Sequence, residues 1–296
     1  MNTAAASPRL TPFFLDLVAL TKPRVTGLVM ATAAVGMVLA PGTIALSRAL
    51  LMLATTALLV GSANALNCWL ERDTDCFMQR TCQRPLPARR LEPHVGFVFG
   101  ALLALSSLPL LTWLVNPVTG LLGAISLLSY VWVYTPLKQK TPHAMVIGAV
   151  PGALPPLMGW TAVTGRVQLA GLVLFAIVFL WQMPHVIGLS VYRRHEYAKA
   201  GIRVLPLVRG PRVAQFHAIA WAALLLPVSL LAVPLQLGGL VYLVAAVLLG
   251  GAYLGATALA LLRPQEDFDR WGRRVFFTSL LYLPLLLSVL LLDKVG

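Results

Sequence analysis

Long apolar runs constrain this chain more than any other feature. They recur at about 14–40, 46–70, 94–116, 118–135, 144–163, 168–190, 213–234, 238–262 and 275–292. A helix needs about 20 apolar residues to cross roughly 30 Å of hydrocarbon. A soluble core of 296 residues cannot absorb nine runs of that length. With 58% hydrophobic residues, 11% charged residues and a mean hydropathy of +0.82, the reading is an all-α polytopic membrane protein of about nine transmembrane helices. No linker or low-complexity tract divides it, so residues 1–296 are expected to form one integral membrane domain.

Charge placement tests that count. The N-terminal segment and the loops after the second, fourth, sixth and eighth runs carry 20 of the 23 Lys and Arg residues. The other side has only Arg48, Arg166 and Lys294. A wrong number of crossings would scramble this alternation. The positive-inside rule then predicts a cytoplasmic N-terminus and a C-terminus on the outer side. The net charge of +13 suits anionic lipid headgroups. No soluble basic domain exists to hold nucleic acid, so the lipid bilayer is the expected partner. The opening stretch, MNTAAASPRLTPFF, is short and broken by proline, which makes a poor presequence. That leads to a bacterial plasma (inner) membrane rather than an organelle. Cys68, Cys76 and Cys82 lie near the cytoplasmic side and lack a zinc-like spacing, so they read as packing or incidental thiols.

Against this background the end of the second run stands out. Only ten acidic residues occur in the whole chain, and Glu71 and Asp75 follow Asn67 at steps of four. Such steps drift by about 40° on a helix, so the three side chains share one face, about 6 Å apart along the axis. Asp73 falls roughly opposite. Three hard oxygen donors so placed suit one or two hard cations beside a polyphosphate. The bland alternative is an interfacial cap, with the acids paired to Arg72. Arg72, Arg80, Arg84, Lys138, Lys140, Arg193 and Lys199 are the cations expected at the same mouth, where Arg and Lys hold the outer phosphate oxygens. The apolar body behind suits a lipid tail, so an allylic diphosphate fits both halves.

Two further features bear on the architecture. The long loops at about 71–93 and 191–212 end in similar phrases, Arg84-Pro85-Leu86-Pro87 and Arg203-Val204-Leu205-Pro206. They hint at two parallel four-helix units plus a ninth helix, with both loops around one mouth. The fifth run crowds Gly148, Pro151, Gly152, Pro155, Pro156 and Gly159. It reads either as a kinked packing helix or as a wall bent to admit a bulky apolar substrate.

The stretch Leu66-Asn67-Cys68-Trp69-Leu70-Glu71-Arg72-Asp73-Thr74-Asp75, with Met78 to Thr81 and Arg84 to Pro87, resembles the first signature of the membrane prenyltransferases of the UbiA superfamily. Thr21-Lys22-Pro23-Arg24 is similar to the family's opening phrase. Tyr134 to Lys138 and Gly152 to Trp160 are similar to its central one. Trp181-Gln182-Met183-Pro184-His185, then Tyr197, Ala200 to Ile202 and Leu205-Pro206, resemble its second loop and point to the haem-modifying branch. The likeness covers nearly the whole chain in the same order. It departs at Glu71 and Glu196, where the family usually has Asp.

The resemblance implies a prenyltransferase with Mg2+ as cofactor, held by Asn67, Glu71 and Asp75. It implies farnesyl diphosphate as donor and protohaem IX as acceptor, with water added to give haem O. Arg24 and Glu196 join the expected substrate-binding residues. His185, by itself a packing residue on an apolar face, becomes a candidate for touching the haem or moving a proton. Trp181 is either a porphyrin contact or part of an aromatic belt. Association with other membrane enzymes of the haem pathway is a further expectation. The alternatives are a UbiA-type enzyme using a quinone or chlorin acceptor, and a multi-pass transporter. A transporter would carry ionisable groups in mid-span, where only Asp16, His185 and His217 qualify.

Overall fold

The computed structural model describes residues 10–259 and 268–295, all helices, turns and loops. Arg9, Arg263, Glu266 and Asp267 lie outside the described residues. The helices are α1 (Leu10–Leu20), α2 (Pro23–Leu39), α3 (Leu46–Asp75), α4 (Pro93–Val115), α5 (Pro117–Leu137), α6 (Ala144–Thr164), α7 (Leu169–Tyr192), α8 (Pro211–Leu230), α9 (Leu240–Ala258) and α10 (Phe268–Leu292). The eight helices from α3 to α10 are long and apolar enough to cross a membrane, and α2 is a shorter apolar helix of the same kind.

The first run, expected as one span over 14–40, is two helices. The break falls at Lys22, whose backbone is left-handed at φ 50° and ψ 65°. Pro23 causes it: its ring disfavours the right-handed helical region for the residue before it. Proline then serves as the first residue of α2, where no amide hydrogen is needed. Helix α1 has 11 residues, about 16 Å, which is too short to cross a bilayer. Asp16 fastens α1 to the loop after α3 by a forked bond from Arg90, at 2.9–3.1 Å.

Helix α3 runs 30 residues, about 45 Å, so it outlasts a ~30 Å hydrocarbon core. It packs on α4 and α2; α6 packs on α2, α5 and α7; α7 packs on α8 and α10. One buried cluster joins α2 to α6 through Met37, Leu59, Leu122 and Met158. A larger one fills the α7 to α10 half around Ile177, Tyr242, Trp271 and Tyr282.

The proline-rich α6 is an unbroken, central helix with Pro151, Pro155 and Pro156 inside it and buried. Pro155 has no amide hydrogen for the Pro151 carbonyl, and Ser126 Oγ of α5 donates to that oxygen instead, at 3.3 Å. Its small residues allow a close crossing with α2. A Cβ on Gly159 would stand 1.9 Å from the Ala33 carbonyl oxygen, and one on Gly36 would stand 1.9 Å from that of Pro156.

Candidate active site

The three oxygen donors of α3 sit on its last turns, still in helix, and all are buried. Each is met by one cation from a different part of the chain. Lys22 Nζ, at the α1–α2 break, donates to Asn67 Oδ1 at 2.9 Å. Lys138, just past α5, pairs with Glu71 Oε1. Arg84, in the loop after α3, reaches Asp75 Oδ2 at 2.7 Å. Asn67 is further fixed by its Nδ2, which donates to Thr135 Oγ1 at 3.1 Å, and Thr135 donates to the Tyr130 carbonyl at 2.8 Å. That chain runs through a stretch of wide π-type helix, Ser129–Tyr134, which places Tyr130 and Tyr134 on the site. Burial disfavours the Lys138 ammonium, but the opposing pull, led by Glu71, raises its pKa above the ordinary lysine value.

These groups line a cavity of about 300 Å³. Five cations, Lys22, Arg80, Arg84, Lys138 and Arg203, share it with two carboxylates, Glu71 and Asp75. The excess of positive charge favours a polyanion. Both long loops contribute, the second through Tyr197 and Ile202 to Leu205. A short helix, Arg194–Lys199, ends there in a glycine cap. Gly201 takes φ 67°, and Ile202 N returns to the Tyr197 carbonyl at 3.0 Å, which turns the following residues into the cavity. A second, mainly apolar cavity of about 170 Å³ adjoins the first and shares Val25, Asn64 and Tyr130 with it. Gly148, Pro151 and Gly152 of α6 form part of its wall. Helix α6 is thus both a packing helix and a cavity wall.

Residues 29–281 match the UbiA prenyltransferase family. The chain belongs to that family. It is 47% identical over 296 residues to the protoheme IX farnesyltransferase of Anaeromyxobacter sp. (strain Fw109-5), covering 99% of each chain. It is 49% identical over 295 residues to that of Myxococcus xanthus (strain DK1622), covering 100% of this chain and 99% of the relative. Two solved structures share its fold. A digeranylgeranylglyceryl phosphate synthase superposes with a TM-score of 0.81 at 17% identity, over 95% of this chain and 98% of that one. A UbiA homolog from Archaeoglobus fulgidus bound to GPP and Mg2+ gives 0.65 at 15% identity, over 93% and 99%. This UbiA family member is a multi-pass membrane enzyme, a prenyltransferase.

The cavity gathers some expected residues and leaves others out. Asn67, Glu71, Asp75, Arg80, Arg84 and Lys138 line the cavity. Arg24 is exposed and outside the lining, and its neighbour Lys22 stands inside. Arg72 bonds the Trp69 carbonyl at 2.8 Å and lies 3.6 Å from Asp73, whose side chain is 83% exposed. Lys140 and Lys199 are exposed; Lys140 enters only by its carbonyl, which accepts from Arg203 at 3.3 Å. Arg193 and Glu196 pair with each other at 2.7 Å, outside the lining. The second loop therefore adds Arg203 and Tyr197 to the cavity and no carboxylate. His185 lies outside this cavity, on the seam between α7 and α10. Lys22, Arg203, Tyr130 and Tyr197 also line the cavity and are not among the expected site residues. A lysine inside an apolar run, followed at once by proline, was the signal for Lys22. The others lay in or beside the family phrases without a chemical motif of their own.

The fit to a hard cation follows from the donor set. Among the described residues, no three of His, Cys, Asp and Glu cluster as a metal site. Two carboxylates and one amide oxygen form an incomplete shell, matching a cation whose other ligands are phosphate oxygens and water.

Proposed function

We propose that this enzyme transfers the farnesyl group of farnesyl diphosphate to a vinyl group of protohaem IX, giving haem O and diphosphate. The observation that carries the donor half is the adjoining pair of cavities: a cation-rich one of about 300 Å³ beside a mainly apolar one of about 170 Å³, with Val25, Asn64 and Tyr130 lining both. A diphosphate with an allylic tail matches that division. The acceptor half is supported by relatives 47% and 49% identical over essentially their full lengths, both named protoheme IX farnesyltransferase.

Asn67, Glu71 and Asp75 would hold Mg2+, which supplies Lewis-acid stabilisation of the departing diphosphate. Lys22, Arg80, Arg84, Lys138 and Arg203 bind the phosphate oxygens and neutralise the charge that builds as the C1–O bond breaks. The apolar wall formed by Val29, Leu59, Leu127 and Pro151 holds the chain and excludes water from the allylic cation. The terminal vinyl carbon forms the new bond to C1. Water then adds its oxygen to the other vinyl carbon and releases one proton.

The site faces the cytoplasm of a bacterial inner membrane on this reading, with the N-terminus inside and the C-terminus outside. Association with other membrane enzymes of the haem pathway is part of it, to be tested by co-purification. The deciding assay gives the purified protein protohaem, farnesyl diphosphate and Mg2+ and identifies the product by mass. A haem carrying one farnesyl group and one added water supports the proposal. Prenylation of a quinone or chlorin but not of haem overturns it.

A further inference from the structure

The seam between α7 and α10 carries an aromatic stack that the diphosphate site does not use. Trp181 and His185 stack with centroids 4.9 Å apart and planes 24° apart. Phe276 follows at 5.0 Å from His185, and Tyr192 at 6.2 Å from Phe276. The helices can approach closely because Gly188 and Gly272 face each other: a Cβ on Gly188 would stand 3.0 Å from the Gly272 carbonyl oxygen. The ring faces are occupied by one another, so the stack offers ring edges. Edges carry the positive end of the aromatic quadrupole and favour the π face of a further ring system.

His185 has a defined tautomer. Its Nδ1 lies 2.7 Å from Ser279 Oγ, and that hydroxyl donates to the Phe276 carbonyl. Nδ1 must therefore carry the hydrogen, and Nε2 is left with a lone pair. Nε2 has no hydrogen-bond partner among the described residues. Trp181 Nε1 is fixed on the same α10 turn, donating to the Ser279 carbonyl at 2.8 Å. Ser279 lies 11 residues into α10, about 16 Å along its axis, deeper than an interfacial aromatic belt requires.

The mouth end of the stack is cationic. Arg273 lies 5.9 Å from the Tyr192 ring centroid and 5.7 Å from that of Phe277. Arg273 and Arg274 stand four and three positions before Phe277, on the side of the helix it shares. The carboxylates here, Glu196 and Asp269, pair with Arg193 and Arg194. Arg273 and Arg274 make no ion pair with a described residue, and Arg274 Nη1 is buried without a hydrogen-bond partner. Ring edges, an imidazole nitrogen without a hydrogen-bond partner among the described residues and two guanidiniums that make no ion pair with a described residue match a flat metallated macrocycle with carboxylates at one end. The cavity is adjacent: Leu189, one turn on from His185, lines it.

We propose that this seam binds the acceptor macrocycle, with His185 Nε2 directed to its metal and Arg273 and Arg274 holding its two carboxylates. This rests on the haem reading above. The test uses full-length protein in nanodiscs and follows protohaem by its Soret absorbance. His185→Phe keeps the stack but removes the ligand, and should abolish the absorbance shift. Arg273→Gln and Arg274→Gln should each weaken protohaem about tenfold and leave its dimethyl ester unaffected. Wild type should itself bind the dimethyl ester at least tenfold more weakly than the diacid, a comparison that needs no variant. Pyrophosphate binding should be unchanged throughout. A wild-type Soret shift in His185→Phe, or equal loss for diacid and ester, overturns the site. Product formation is measured on the wild type in parallel. No haem product refutes the acceptor reading itself, whereas haem product with an unperturbed His185→Phe spectrum refutes only this seam.

Discussion

At the scale of residues, the site is an array of matched pairs. Asn67, Glu71 and Asp75 are each held by a protein cation, so each donor is occupied before a ligand arrives. Mg2+ and diphosphate should therefore bind together, because the diphosphate gives the three displaced cations new partners. Mg2+ with pyrophosphate is expected to raise the melting temperature well above the sum of the two alone; simple addition would sink the idea. The pairs also predict a stability cycle. Glu71→Gln strands the Lys138 ammonium in a buried position, at a cost of about 3 kcal/mol. Adding Lys138→Met should recover most of that stability while turnover stays lost in both variants. Thermal unfolding and product assays on the single and double variants check this; an unchanged melting temperature in Glu71→Gln would count against the pair. Asp73→Asn, on the exposed side, should keep turnover within about twofold of wild type, since exposed pairs contribute little.

At the scale of elements, close crossings set what can change. Gly159 meets the Ala33 backbone, which cannot yield, so Gly159→Ala should destabilise by about 1–3 kcal/mol. Gly27 in α2 has nothing within 4 Å of its Cβ position, and Gly27→Ala should leave the melting temperature unchanged or slightly higher. Equal melting temperatures for the two variants would contradict the packing. The same contrast explains what was legible in the sequence. The period-four oxygens of α3 could be placed because one regular helix carries them all. The break at Lys22 was harder, since a lysine near a span end can equally snorkel to water. The π-type stretch in α5 leaves no mark in hydropathy. The stack on the α7–α10 seam depends on residues 94 apart meeting across two glycines, which no local pattern encodes.

At the scale of the whole molecule, the alternation of basic loops favours the proposed orientation. The proposed orientation counts α2 with the eight longer helices as nine crossings, which would put the ends on opposite sides. The loops at the cavity mouth hold Arg80, Arg84, Arg89 and Arg90 on one side of α4, and Arg193, Arg194, Lys199, Arg203, Arg209 and Arg212 beyond α7. Reversing the molecule would carry these clusters across the membrane against its potential, at about 2.3 kcal/mol per charge per 100 mV. The cavity and its loops should therefore face the cytoplasm. Cys76 is exposed on the first of those loops and Cys68 is buried, which makes a native probe. In intact spheroplasts a membrane-impermeant maleimide should leave Cys76 unlabelled, and permeabilisation should expose it. Val167, 45% exposed in the loop between α6 and α7, reports on the opposite side. Val167→Cys, made in a chain whose other cysteines are serine, should label without permeabilisation. The reverse pattern at both positions would place the diphosphate cavity on the outer face and remove the cytoplasmic supply of donor that the proposed reaction needs.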